Sequence, residues 1–241
     1  MKNAIVLCSG GIDSVTTAHY VKKNLKYDPT IILFFNYGQK SIFMERKFSK
    51  KCAKNLGAEF MEIPLGFLGK ISNSLINKKG AVKKLKKTDL KDTKDESKKF
   101  YVPCRNSVFL VYALALAESI FVKKKKKYDI FVGFKNEGKE SYPDTTKKFV
   151  SSMNNLASVS CASDFKINAP LIEMDKEDII ELGTKLGVNF RETSSCYVGE
   201  KMHCGYCLAC KLRQEGFYWA NMKDPTKYKI KMKDFRKATK Y

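Results

Sequence analysis

The sequence predicts an α/β fold, a parallel sheet with helices on both faces and a small C-terminal appendage. Short β-branched runs alternate with helical patterns through the first half, which is the pattern of strands joined by helical crossovers. Three cysteines then recur at two-residue intervals near the other end, Cys204, Cys207 and Cys210. A length of 241 residues is enough for one domain with a full apolar core, and the chain divides into residues 1–190 for the sheet and 191–241 for the cysteine-bearing segment packed on it.

The elements follow in order. Ala4 to Cys8 is a compact apolar strand, and Ser9-Gly10-Gly11 turns it into a helix from about Asp13 to Leu25 with Val15, Ala18 and Val21 on one face. Asp28-Pro29 leads into a second strand, Thr30 to Phe35, and Met44 to Leu56 is a helix closed by Gly57. Glu59 to Ile63 is a third strand, stopped by Pro64. Lys78 to Lys99 is polar and lysine-rich, and reads as a mobile loop or weak helix, either a lid or an insertion without a role. Asn106 to Phe121 is a strongly apolar helix with Lys123 to Lys127 as its exposed exit. Tyr128 to Phe134 is a fourth strand with Gly133 where an α/β sheet places ligand contacts. A helix over about Thr146 to Ser158, a short strand at Lys166 to Asn168, a helix capped by Asp175 and stopped by Gly187, and a last helix over about Cys207 to Asn221 complete the chain.

Composition narrows the class. Hydrophobic residues make up 44% and aromatic residues 12%, as in ordinary globular proteins. No uninterrupted apolar run reaches the roughly 18 residues of a membrane span, and the opening Met1 to Ser9 moves straight into a glycine turn rather than a signal-peptide core, so a cytoplasmic protein with no membrane partner is expected. Lys+Arg number 46 against 25 Asp+Glu, a net charge of +21. The excess lies mostly in lysine runs without interleaved aromatics, so a solvated surface accounts for it and direct nucleic-acid binding is not expected. Cys8, Cys52, Cys104 and Cys161 are dispersed and read as small buried hydrophobes.

Chemistry concentrates first in Ser9-Gly10-Gly11-Ile12-Asp13-Ser14, between a strand and a helix. Two glycines let backbone approach an oxyanion, while the amides opening the helix and the Ser9 and Ser14 hydroxyls donate to it. No Gly-Lys-Ser/Thr follows, and the spacing is not Gly-x-Gly-x-x-Gly, so neither a Walker loop nor a dinucleotide fingerprint is present. The turn resembles the pyrophosphate loop of the N-type ATP pyrophosphatases, which implies cleavage of ATP between its α and β phosphates. That family's sheet is Rossmann-like, of the adenine nucleotide alpha hydrolase type. The resemblance places ATP against Cys8, Ser9, Gly10, Gly11, Ile12, Asp13, Ser14, Val15, Thr16, Thr17 and Ala18, with Asp13 helping to hold Mg²⁺. His19, on the same helix, reads as a packing residue.

Further motifs narrow the family. Asn36-Tyr37-Gly38-Gln39, Val102-Pro103-Cys104-Arg105-Asn106, Tyr142-Pro143-Asp144, Asn168-Ala169-Pro170-Leu171, Asp175-Lys176, Asp224-Pro225 and the C-terminal cysteines together resemble the 7-cyano-7-deazaguanine synthase family, QueC, over nearly the whole chain. The resemblance implies a ligase that adenylates 7-carboxy-7-deazaguanine, lets ammonia replace the AMP, then uses a second ATP to turn the amide into a nitrile. Asp13, Ser14, Arg105 and Asp144 are the expected catalytic residues. Tyr37, Gln39, Arg105, Asn106, Tyr142 and Asp144 are the expected substrate contacts. Two positions depart from the family: Cys104 stands where Gly is usual, and Thr145-Thr146 where a Cys-Arg pair often follows the Tyr-Pro-Asp. A thiol at Cys104 keeps open a second reading, a tRNA-modifying enzyme of the thiolase or lysidine type within the same superfamily. The sequence leaves the oligomeric state open, a homodimer included.

Cys204, Cys207 and Cys210 form a tight knuckle, and Cys196 lies far enough upstream to complete a tetrahedral shell. Four thiolates without an open position make a structural Zn²⁺ site. His203 is a weaker candidate ligand, and an iron–sulfur cluster, which would point to thiolation, is the alternative occupant.

Overall fold

The computed structural model describes residues 2–135 and 142–230; residues 231–241 of the expected appendage lie outside the described residues. Five parallel strands stand in the order β3-β2-β1-β4-β5: β1 (Asn3–Leu7), β2 (Thr30–Asn36), β3 (Glu59–Pro64), β4 (Tyr128–Phe131) and β5 (Ile167–Asn168). Register is set with Ile5 opposite both Ile31 and Ile130. β1 is fully buried at Ala4, Ile5 and Val6, as a central parallel strand covered on both faces must be. β4 is three residues shorter than the sequence suggests, because Gly133 passes against the backbone of Asp13 and Ser14, where a Cβ would come within 2.9 Å of both.

One apolar layer lies under α5 (Arg105–Lys124), where Leu110, Ala113, Leu114 and Ala117 pack with Ile5, Leu33 and Ile130. The other gathers Val6, Val15, Ala18, Ile32, Ile179 and Phe217 under α1 (Ile12–His19), α2 (Ile42–Leu56), α7 (Lys176–Lys185) and α8 (Leu208–Trp219). Two short helices, α3 (Gly66–Ile71) and α4 (Lys94–Lys98), and α6 (Lys147–Ser160) complete the set. By length and hydropathy alone α5 would suffice to cross a membrane, but here its buried stripe rests on the sheet. α1 is shorter than the expected Asp13 to Leu25, since Tyr20–Asn24 continue it as a π turn.

Local signals act where the sequence places them. Gly57 closes α2 in the left-handed conformation at φ +59°. Asp175 and Asp178 form a reciprocal cap on α7, the Asp175 amide donating to Asp178 at 3.0 Å. Thr146, one of the two departures from the family pattern, caps α6 by accepting from the Phe149 amide at 3.1 Å.

The lysine-rich stretch 78–99 is more structured than its composition suggests. It holds a 3₁₀ turn at Lys87–Lys91 and the short helix α4. Leu85 is buried and its amide donates to the Tyr206 carbonyl at 3.1 Å, while Glu96 is buried and pairs with Lys99. The segment is tied to the body at Leu85 and at Ser97, whose carbonyl accepts from the Tyr142 hydroxyl.

Candidate active site and metal centre

The carboxyl ends of β1, β2 and β4 open on a cavity of about 290 Å³. Its floor is the turn after β1, and its walls come from the loop after β2, the start of α5 and the loop after β4, as expected for a ligand crevice at the edge where the sheet order reverses. Cys8, Ser9, Gly11, Asp13 and Ser14 line it from the turn, and Tyr37, Arg105, Asn106 and Tyr142 from the opposite side.

The turn is held in shape from within. Ser14 Oγ accepts from the Ser9 amide at 3.2 Å, donates to the Gly11 carbonyl at 3.2 Å and lies 3.3 Å from Ser9 Oγ. Gly10 takes φ +72°, and a Cβ there would sit 2.8 Å from the Glu45 carbonyl oxygen and 3.0 Å from Ser49 N, so α2 packs directly on the bend. From the other side the Ser194 amide donates to the Gly10 carbonyl at 2.8 Å. Cys8 lies underneath, its thiol brought down to about 7 by a hydrogen bond from Cys52, with Gly10 and Ser14 helping against the effect of burial. Asp13 is gripped by Lys176, whose Nζ lies 2.6 and 2.7 Å from the two carboxylate oxygens.

Not every residue expected against ATP faces the cavity. Ile12, Val15 and Ala18 turn into the apolar layer behind the turn, and Thr16 and Thr17 are fully buried, Thr17 donating to the Asp13 carbonyl at 2.9 Å. They form the helix behind the cradle rather than its lining. Gln39 is also withdrawn: buried, it accepts from the Tyr37 amide at 2.9 Å and donates to the Phe35 carbonyl and to Glu45. It shapes the loop after β2 and is absent from the cavity lining.

Arg105 and Tyr37 meet across the cavity wall. Arg105 Nη1 donates to the Tyr37 hydroxyl at 3.5 Å and its guanidinium lies 5.7 Å from the ring centre, while burial pushes the Tyr37 phenol up to about 12. Tyr142 stacks on Tyr101 with centroids 5.7 Å apart and donates to the Ser97 carbonyl at 2.9 Å, so the lysine-rich segment supports the rim. Asp144 is absent from the cavity lining. It is 6% exposed, its carboxylate accepts from the Asn106 amide at 3.4 Å and its carbonyl accepts from Asn106 Nδ2 at 3.1 Å, so it stabilises the N-terminus of α5. Cys104 is exposed rather than buried, and Cys161 is partly exposed; only Cys8 and Cys52 match the expected buried hydrophobes. Cys104 precedes α5 at φ +54°, the left-handed region that favours glycine. Cys104 is absent from the cavity lining.

The cysteines come together. The Sγ atoms of Cys196, Cys204, Cys207 and Cys210 all lie within 4.8 Å of one another and all four residues are buried, with Cys204 and Cys210 sulfurs 3.9 Å apart. Four thiolates about 2.3 Å from one ion stand about 3.8 Å apart at the corners of a tetrahedron. The set therefore fits a single tetrahedral ion. A four-iron cubane puts each thiolate on a different iron, which spreads the sulfurs farther than this group allows. His203 is outside the set: its Nε2 accepts from the Ser195 amide at 3.1 Å.

Sequence reasoning passed over Glu45, Ser41 and Tyr197, which line the cavity, and gave Lys176 no role in the site. It placed Arg213 beside the metal centre but not its contacts: the side chain is 1% exposed and joins that centre to the turn. Arg213 Nε pairs with Asp224 at 3.3 Å, Nη1 donates to Thr193 at 2.8 Å and Nη2 to the Phe190 carbonyl at 2.9 Å, and thereby fixes the segment whose Ser194 holds Gly10.

The sequence matches the family described as "Queuosine biosynthesis protein QueC" over residues 3–221. The 7-cyano-7-deazaguanine synthase of Methanobrevibacter smithii is 36% identical over 231 residues, covering 94% of this chain and 98% of that protein. The 7-cyano-7-deazaguanine synthase of Methanosphaera stadtmanae is 38% identical, covering 93% and 97%. Among solved structures, the U34-tRNA thiolase NcsA from Methanococcus maripaludis with its [4Fe-4S] cluster superposes with a TM-score of 0.43 at 17% identity, over 90% of this chain and 64% of that one. With a match spanning almost the entire described chain and full-length relatives above 30% identity, the chain belongs to the QueC family.

Proposed function

We propose that this protein converts 7-carboxy-7-deazaguanine, ammonia and ATP into 7-cyano-7-deazaguanine, the activity named for its relatives. Family membership over residues 3–221 carries the reading, and the cavity supports it, because it joins an oxyanion cradle to a polar aromatic wall within one enclosure.

The chemistry follows from the charges involved. A carboxylate resists nucleophiles until its oxygen is made a good leaving group. Attack of the substrate carboxylate on the α-phosphorus of ATP gives an acyl-adenylate and releases pyrophosphate, which the turn's amides and the Ser9 and Ser14 hydroxyls stabilise as it departs. Ammonia adds to the acyl carbon and AMP leaves, giving the amide. The amide oxygen then attacks a second ATP, and loss of AMP with the two nitrogen-bound protons leaves the nitrile. Both rounds break the same bond of ATP and use the same cradle.

Arg105 and Lys135 are cations of the cavity wall that face the anionic reactants, and Tyr37 and Tyr142 offer ring faces and hydroxyls to a deazapurine. Asn106 and Thr145 supply neutral hydrogen-bonding groups along the same wall. Asp13 would supply a carboxylate oxygen to Mg²⁺, a hard cation that would offset the charge of the phosphates. Lys176 neutralises Asp13 and holds its carboxylate at the cavity edge. The four-cysteine centre holds a structural Zn²⁺ that staples an appendage, residues 191–241, to the sheet domain, residues 1–190. The reaction is complete with a free base as substrate and calls for no nucleic-acid partner or membrane; it admits a homodimer and a cytoplasmic setting.

Incubation with ATP, Mg²⁺, ammonium and the acid should yield the nitrile by mass spectrometry, with two AMP per nitrile. Formation of ADP, or AMP release that requires tRNA in place of the acid, would overturn the reading.

A further inference from the structure

The reacting groups of this site are anions, and its wall is built accordingly, from turn amides, hydroxyls and Arg105. Two carboxylates run against that pattern, and one of them, Asp13, is matched by Lys176. Glu45, in the first turn of α2, also lines the cavity. None of the ion pairs among the described residues includes it. Its two oxygens are held by neutral donors, Gln39 Nε2 at 2.9 Å on one and the Ser41 hydroxyl on the other. Each oxygen keeps a lone pair for a further donor. The backbone of Glu45 packs on the bend at Gly10, while its carboxylate, held by Gln39 and Ser41 of the loop after β2, lies close enough to Tyr37 and Arg105 to feel their charge.

A negative charge there opposes ATP and the substrate acid unless it serves the third reactant. Ammonia exists in neutral water mainly as ammonium, a cation without a lone pair, and must lose a proton to become a nucleophile. Resting on the function proposed above, we propose that Glu45 is a catalytic residue that receives ammonium, removes its proton and releases ammonia onto the adenylated carboxyl carbon. The N–H pair stays on nitrogen and the proton goes to the Glu45 carboxylate. The nitrogen lone pair then forms the C–N bond, the C–O bond to AMP breaks with its pair leaving on the phosphate oxygen, and a second proton is shed from nitrogen to give the neutral amide. That proton reaches solvent after Glu45 has returned the first. Burial raises the Glu45 carboxyl, against the Ser41 and Gln39 hydrogen bonds and the charge of Arg105, which suits a group that must hold a proton during turnover.

Glu45→Gln preserves shape and can keep both neighbouring hydrogen bonds. Adenylation is read separately as exchange of labelled pyrophosphate into ATP with the acid present. The variant should keep this exchange within about threefold and lose amide formation from ammonium by about 10²-fold, within the range of a positioned base. Hydroxylamine is already unprotonated at neutral pH, so hydroxamate formation by Glu45→Gln should stay near that of the unsubstituted enzyme. Loss of exchange in the variant, equal impairment with ammonium and hydroxylamine, or wild-type amide rates would overturn the proton-accepting role alone. Absence of exchange in the unsubstituted enzyme would instead overturn the function on which that role rests.

Discussion

The Ser9–Ser14 turn and the Cys196–Cys210 knuckle both hold polar atoms at the opening of a helix, yet they treat solvent in opposite ways. Ser9 is exposed, Gly11 and Asp13 are half-buried, and the turn faces an open cavity. All four cysteines are 4% exposed or less and close on one another. The first arrangement suits a ligand that arrives and leaves in each round, and the second suits an ion that remains. The two are also linked, since the segment between Phe190 and Cys196 touches the turn through Ser194 and the knuckle through Cys196 itself. A metal held by the knuckle would thus act as foundation for the exchangeable site.

The largest effect should come from the turn. Asp13→Ala removes the carboxylate that would carry Mg²⁺ and leaves Lys176 without its partner, so AMP formation should fall by about 10³-fold or more while the thermal transition moves little. Near-normal turnover measured by AMP release would break the assignment of Asp13. Next in size is Cys207→Ala, which removes one of four ligands from a closed shell. Bound metal, read by elemental analysis, should disappear and stability should fall by several kcal/mol, on the order of 10 °C in Tm at about 2–4 °C per kcal/mol for a chain this long. A zinc-free Cys207→Ala protein with an unchanged Tm and full activity would remove the knuckle from the structural role.

Arg213→Met sharpens the comparison by cutting the link while sparing the ligands. It strands the Asp224 carboxylate, itself 1% exposed, and should cost about 3–5 kcal/mol, the usual effect of leaving one member of a buried ion pair alone. ATP affinity measured by calorimetry should drop with it, because Thr193 and Phe190 lose the guanidinium that fixes them beside Ser194. Unchanged ATP affinity in a folded Arg213→Met protein would show the two regions to be independent.

What the sequence revealed, and what it hid, follows the range of the contacts. The turn and the knuckle are local: their residues lie close together in the chain, and glycine and cysteine spacing carries the geometry directly. β1 and β2 are legible for the same reason, as apolar runs. Lys176 reaches Asp13 across 163 positions, and Arg213 reaches Thr193 through a fold that brings α8 back to the sheet, so no spacing announces either. The hydrogen bonds of Asp144 were hidden for a different reason. Tyr-Pro-Asp reads as an open loop with a free carboxylate, whereas the chain turns that carboxylate onto the unsatisfied amides of α5. The stretch 78–99 misleads by composition, since many exposed lysines surround the buried Leu85 that anchors it.

Cys104 makes the smallest and most specific test. Its exposure and its place beside Arg105 invite a reading as a reactive thiol, but its backbone gives a simpler account of the family's usual glycine at this position. At φ +54° a side chain crowds the following carbonyl by about 1–2 kcal/mol, a cost that glycine escapes. Glycine in turn loses about 0.4–1 kcal/mol through the greater freedom of its unfolded chain. The difference leaves Cys104→Gly more stable by up to about 1 kcal/mol, measurable as a rise of a few degrees in Tm, with nitrile formation unchanged. A sulfur-carrying role requires the opposite, a protein as stable or more so that no longer turns over, and a single assay of Tm and product on the same sample separates the two.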